Sequence, residues 1–281
     1  MALNSNETNG KDTIGIDTIG KDTILKIEDL SIAFGGLKAV DSLSFDIKEK
    51  EIFGLIGPNG AGKTTVFNCI TQFYRPDRGT VIFRNNKNEV EDLVGKKPHE
   101  IIRKGLVRTF QNVELVKELS IVDNVLVGCH IEFEASIISQ ILKLPKARKE
   151  EAKYREKAEE VLKHMGLYDI KDHLVAGQPY GVLKKIELAR TLMCEPKLII
   201  LDEPAAGLND TETIALIDMV REIKDKFNCS ILLVEHDMRF VTDLCDRICA
   251  ISFGKLLAIG TPQEIQANEQ VQAAYLGKGD E

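Results

Sequence analysis

The residues best suited to chemistry stand in one short run: Gly57-Pro58-Asn59-Gly60-Ala61-Gly62-Lys63-Thr64-Thr65. It satisfies the pattern G-x-x-x-x-G-K-[ST]. Backbone N–H groups can grip polyphosphate oxygens only if the chain wraps closely around them. A Cβ at the points of closest approach would block this, so glycine is required there. A helix opening behind the loop aims its N-terminal N–H groups at the anion. Lys63 brings a positive charge to the β- and γ-phosphates, and the Thr64 hydroxyl is an oxygen ligand for Mg²⁺. The context agrees: Glu51–Ile56 reads as a short apolar strand entering the loop, and Thr64–Ile70 as a helix leaving it.

Two further polar clusters follow apolar runs. Leu198–Leu201 is four apolar residues long, the pattern of a buried strand, and Asp202 and Glu203 emerge at its end. In open parallel sheets ligands bind outside the carboxyl ends of the strands. Asp202 is suited to holding Mg²⁺ through water, and Glu203 to orienting or deprotonating the attacking water. The same plan recurs in Leu232-Leu233-Val234-Glu235-His236-Asp237. There His236, coming after the other two motifs, is a candidate γ-phosphate contact.

These groups need elements to hold them. Leu25–Ala33 and Ala39–Ile47 read as strands joined at Gly35-Gly36. From Pro98 to about Lys185 helical periodicity dominates. Its charged stretch Lys146–Glu160 reads as a solvated helix face, and Ile137–Leu144 as the buried side of a hairpin. After Ile186 strands and helices alternate again, through Leu198–Leu201, Thr211–Lys226 and Ser230–Val234, to a short β tail around Ile248–Ala258. Such alternation implies a mainly parallel sheet covered on both faces. The helical stretch, about 113–188, then reads as an insertion into an α/β core spanning 25–277. Residues 1–24 carry a five-residue repeat, Asp12-Thr13-Ile14-Gly15 and Asp17-Thr18-Ile19-Gly20, then Asp22-Thr23-Ile24-Leu25. That period suits neither helix nor strand, so 1–24 is expected to be a disordered tail, and 278–281 reads as a short tail at the other end.

Composition narrows the function classes. The 281 residues are 43% hydrophobic and 29% charged, with a formal net charge of −7, which disfavours nucleic acid as a partner. No apolar run approaches the roughly 20 residues that span a bilayer, and the polar start lacks a signal sequence. The chain is therefore expected in the cytoplasm, with any membrane association coming through a partner. Six scattered cysteines suit reduced core thiols, although Cys245 and Cys249, four apart, could share a helical face.

Taken in order, these residues resemble the nucleotide-binding subunits of ABC transporters. The resemblance runs from about Leu25 to Gly277. It implies a P-loop (RecA-like) α/β core, an antiparallel β subdomain and an inserted α-helical subdomain. It also implies that Phe34 stacks on adenine, Gln111 senses Mg²⁺ and links the core to the helical insertion, and His236 is a switch histidine. Two such subunits would sandwich two ATP molecules, with Ala206-Gly207-Leu208-Asn209 crossing their interface. The nearest subgroup is that of the branched-chain amino-acid importer ATPases, of the LivG type. It is carried by Phe34-Gly35-Gly36-Leu37, Arg108-Thr109-Phe110-Gln111-Asn112, Pro179-Tyr180-Gly181 and Asp202 to Asn209, with Gly260-Thr261-Pro262 and Ala274-Tyr275-Leu276-Gly277 at the end. The implied partners are integral-membrane permeases, a second ATPase subunit (a paralogue or a second copy) and a periplasmic or extracellular substrate-binding protein. The chain would then sit peripherally on the inner face of the cell membrane.

One stretch departs from the pattern. Pro179, Tyr180 and Gly181 fit the subgroup's signature, which contacts ATP held by the other subunit, but Gln178 and Val182 do not. Urea and short-amide importers share much of the pattern. A soluble ABC protein acting on ribosomes or DNA, and a non-hydrolysing nucleotide-gated module, are the readings from other classes. The single phosphate loop and the acidic balance weigh against the first, and Glu203 with His236 against the second.

Overall fold

The computed structural model describes residues 19–109, 114–129 and 145–276. Two sheets carry the fold. Strands β1 (Thr23–Phe34), β2 (Leu37–Lys48), β4 (Arg78–Arg84) and β5 (Val90–Asp92) form an antiparallel sheet in the order β2-β1-β4-β5. The second sheet has the order β10-β9-β3-β8-β7-β6. Its strands are β3 (Ile52–Ile56), β6 (Leu106–Arg108), β7 (Leu198–Asp202), β8 (Ser230–Glu235), β9 (Arg247–Ser252) and β10 (Lys255–Gly260). All neighbours run parallel except β10, which turns back against β9.

The apolar strands are continuous because both faces of this sheet are covered. Ile52, Ile56, Ile199, Leu201, Ile231 and Leu233 face one core, with helices α6 (Asp210–Phe227) and α7 (Met238–Leu244). Phe53, Leu55, Leu198, Ile200, Leu232 and Val234 face the other, where α1 (Lys63–Ile70) lies between the two sheets. Helices α3 (Ile121–Val127), α4 (Pro145–His164) and α5 (Tyr180–Leu192) pack on one another and share the first core. Along α4, Tyr154, Ala158, Val161 and Leu162 are buried at helical spacing, and most of the charged run faces solvent. Helices α2 (Pro98–Arg103), α8 (Pro262–Ala267) and α9 (Glu269–Leu276), with a short 3-10 helix at Tyr168–Ile170, complete the described elements. No helix among the described residues is long and apolar enough to cross a membrane.

The expected fold class is the observed one, with local corrections. The helical reading from Pro98 onward hides β6, which pairs with β7 from Leu106↔Leu198 to Arg108↔Ile200 and so belongs to the core sheet. Three residues show no alternation from which a strand could be read. The expected tail is also too long. Ile19, Thr23 and Ile24 are buried, Thr23 opens β1, and the Gly20 carbonyl accepts from Arg84 Nη2 at 2.9 Å. The repeat before Ile19, the segment Ile137–Leu144 and the end 277–281 lie outside the described residues. Cys245 and Cys249 do not share a helical face: Cys245 follows α7 in one core, and Cys249 lies on β9 in the other.

Candidate nucleotide site

The phosphate loop begins where β3 ends. At Gly57 a Cβ would stand 2.3 Å from the Ile251 carbonyl oxygen and 2.8 Å from Ala61 Cβ, so only glycine lets the loop lie against β9. Gly62 caps α1 with φ at 102°, which glycine alone adopts freely. The loop is pinned from outside: Gly254 N–H donates to the Ala61 carbonyl at 2.9 Å, and the Gly254 carbonyl accepts from Asp41 N–H at 2.9 Å. Lys63, only 8% exposed, folds back so that Nζ donates to the carbonyls of Gly57 at 2.6 Å and Pro58 at 3.3 Å. The loop thus closes around its own cation.

The parallel register brings the other groups to the same end of the sheet. Ile56 on β3 stands opposite Glu235 on β8, and Val234 opposite Asp202 on β7. Gly57, His236 and Glu203 therefore follow the ends of three adjacent strands. Asp202 is buried, and that burial raises its pKa to about 6; Arg108 and Lys63 oppose the shift, while Glu203 and Glu235 add to it. Glu203 adopts φ of 47° and donates its N–H to the Val234 carbonyl at 2.8 Å. His236 Nδ1 lies 3.7 Å from Glu203 Oε1.

Phe34, Asn59, Gly60, Ala61, Gly62, Lys63, Thr64, Thr65 and Glu203 line one open cleft of about 440 Å³. Phe34 presents an exposed ring there, edge-on to Tyr74 with centroids 5.3 Å apart. Asp202 and His236 do not line this cleft; nor do Pro179, Tyr180 and Gly181, at the start of α5. Tyr180 reaches the loop after Glu203 in its own chain, its Oη donating to the Ala206 carbonyl at 3.4 Å. Gln111 lies outside the described residues. Just before it, Thr109 N–H donates to the Ile200 carbonyl at 2.9 Å, and Arg108 bonds Asn68 Oδ1 at 3.1 Å beneath the rings of Phe67 and Phe73.

Two residues enter the site without having been singled out from the sequence. Phe253 lines the cleft from the β9–β10 turn, 80% exposed and at φ of 48°, an unusual backbone for a bulky residue. No local signal marks it. Glu235 is only 1% exposed and contacts the loops that carry Glu203 and His236. Its signal, a carboxylate ending an apolar run, is the one that marked Asp202.

A glycine-rich loop between a parallel strand and a helix, with carboxylates at the ends of neighbouring strands, defines a P-loop nucleoside triphosphatase. Comparison with known proteins narrows the class. The family model described as "ABC transporter" matches residues 40–206, and that described as "Branched-chain amino acid ATP-binding cassette transporter" matches 255–281. The high-affinity branched-chain amino acid transport ATP-binding protein LivG of Salmonella typhimurium is 42% identical over 254 residues, 90% of this chain and 98% of that protein. BraF of Pseudomonas aeruginosa, with the same description, is 41% identical over 90% of this chain and 98% of its own length. Among solved structures, the ADP conformation of an ATP-binding cassette of an ABC transporter superposes with a TM-score of 0.78 at 30% identity, covering 91% of this chain and 99% of that one. The chain belongs to the ABC transporter family, and it is an ATP-binding cassette of the kind whose ATPase activity powers transport.

Proposed function

We propose that this cassette hydrolyses MgATP to drive an importer of branched-chain amino acids. The observation that carries the hydrolytic reading is the meeting of Lys63, Thr64 and Glu203 on one cleft beneath an exposed aromatic ring. Backbone N–H groups of the loop from Asn59 to Lys63 and Lys63 Nζ hold the β- and γ-phosphates, Phe34 takes the adenine face, and Glu203 orients or deprotonates the attacking water. His236, beside Glu203, contacts the γ-phosphate. The oxygens of Thr64 and Asp202 suit Mg²⁺, which prefers hard oxygen ligands, and a cation there would relieve the crowding of Asp202 by Glu203 and Glu235. When bound, Mg²⁺ supplies charge neutralisation across the phosphates. Gln111 is read as a further contact to it, from the resemblance alone.

The substrate reading comes from the relatives' descriptions and the match at 255–281. Permease subunits dock in the apolar groove that Thr71, Phe73, Ile101, Ile102, Glu114 and Arg190 line together with Thr109. That docking places the chain on the inner face of the membrane. A second cassette, a paralogue or a second copy, completes the ATP sandwich and receives Pro179, Tyr180 and Gly181 on its nucleotide. A periplasmic or extracellular binding protein delivers the amino acid. The test is uptake of labelled leucine, isoleucine and valine by vesicles holding the co-expressed transporter, with ATP enclosed. ATP-dependent uptake of all three is expected. Uptake of urea or a short amide in their place would overturn the substrate, and transport that persists without ATP would overturn the mechanism.

A further inference from the structure

Glu235 is a buried carboxylate that the phosphate chemistry above leaves unused. It ends β8, directly opposite Ile56 and one residue before His236. Its two oxygens serve different loops. Oε1 accepts from Ala205 N–H at 3.1 Å, in the loop that follows Glu203. Oε2 accepts from His236 N–H at 3.0 Å, and from Asp237 N–H at 3.4 Å. Asp237 in turn caps α7, accepting from Arg239 N–H at 2.8 Å and Phe240 N–H at 3.3 Å.

The loop of Glu203 is thus tied twice to the end of β8: Glu203 N–H bonds the Val234 carbonyl, and Ala205 N–H bonds the next side chain. Glu203 has φ of 47°, a conformation a non-glycine residue keeps only when its surroundings impose it. A carboxylate suits this junction because both its oxygens accept and neither donates. An amide would turn an N–H group toward one of the loop N–H groups.

We infer that Glu235 is a positioning residue for ATP hydrolysis: it bridges the Glu203 loop and the His236 loop and sets the spacing of the two side chains before nucleotide arrives. The inference rests on the hydrolytic reading of Glu203 and His236. Glu235 meets no phosphate in this scheme, so its loss acts on the rate and spares ATP binding.

The test is Glu235→Gln in the full chain co-purified with its permeases. ATPase kcat and KM are measured beside the melting temperature and the Glu203→Gln and double variants. Catalytic groups displaced by about 1 Å lose on the order of 100-fold in rate, so kcat is expected to fall about 10- to 100-fold with KM within about threefold. Because both residues act through one step, the double variant should be no slower than Glu203→Gln alone. A kcat within about twofold of wild type, a rise in KM at unchanged kcat, or losses that multiply in the double variant would overturn the inference. If Glu235→Gln does not fold, Glu235→Asp is read by the same constants, since it keeps both acceptors but shortens their reach. A wild type without turnover would sink the hydrolytic reading itself, a result separable from a wild type and variant that turn over equally.

Discussion

Replacing Lys63 by methionine tests the phosphate site most directly, because methionine keeps most of the apolar stem and removes the charged donor group. Lys63 is 8% exposed, and its ammonium is already held on the Gly57 and Pro58 carbonyls at 2.6 and 3.3 Å. Much of its desolvation is therefore met before ATP binds, and the attraction to phosphate is not spent on drying the cation. A hydrogen bond to a charged group contributes about 1.5–3 kcal/mol. At about 1.4 kcal/mol per tenfold, Lys63→Met should weaken MgATP binding about 10- to 100-fold. The same change leaves buried carbonyl acceptors short of a donor, at about 1–3 kcal/mol, so the nucleotide-free chain should also melt lower. Calorimetric titration with MgATP and thermal unfolding without nucleotide measure the two effects. An affinity equal to wild type, in a variant that is folded, would refute the role of Lys63.

Glu203→Gln should keep ATP affinity while turnover in the assembled transporter falls by about 100- to 10,000-fold, the usual contribution of a general base; near wild-type turnover would remove Glu203 from that role. Phe34→Ala should raise the Kd for ATP but leave inorganic triphosphate binding unchanged, because the exposed ring is assigned only to the base; equal losses for both ligands would place the ring elsewhere. Gly57→Ala drives a methyl to 2.3 Å from the Ile251 oxygen, so denaturant unfolding should show a loss of about 1–3 kcal/mol together with weaker ATP binding; an unchanged variant would mean that the loop does not lie against β9. If, in the proposed mixed pair of cassettes, the stretch with the altered Gln178 and Val182 meets the partner's ATP, removing Glu203 should cost more turnover than removing the partner's catalytic glutamate; equal costs would dismiss the asymmetry.

The phosphate loop was legible from the chain because its function is local. Gly57, Gly62, Lys63 and Thr64 all stand within nine consecutive residues, so type and spacing alone suffice to propose the chemistry. Asp202 and Glu203 were legible for a related reason: a buried parallel strand is continuously apolar, and its first polar residues mark the end where ligands bind. Tertiary structure decided the rest. That β3, β8 and β7 lie side by side, with Ile56 opposite Glu235 and Asp202 opposite Val234, is a matter of strand order and register. Those are set by packing among segments distant in the chain, and no local pattern encodes them. β6 escaped notice because three residues reveal no period until β7 pairs with them. Phe253 reached the cleft only because the Gly254 turn is bonded to Ala61 and Asp41, far away in sequence. Glu235 looked like any strand-end carboxylate until folding closed the Ala205 loop over it, leaving its two oxygens in a buried space with N–H donors from two different loops.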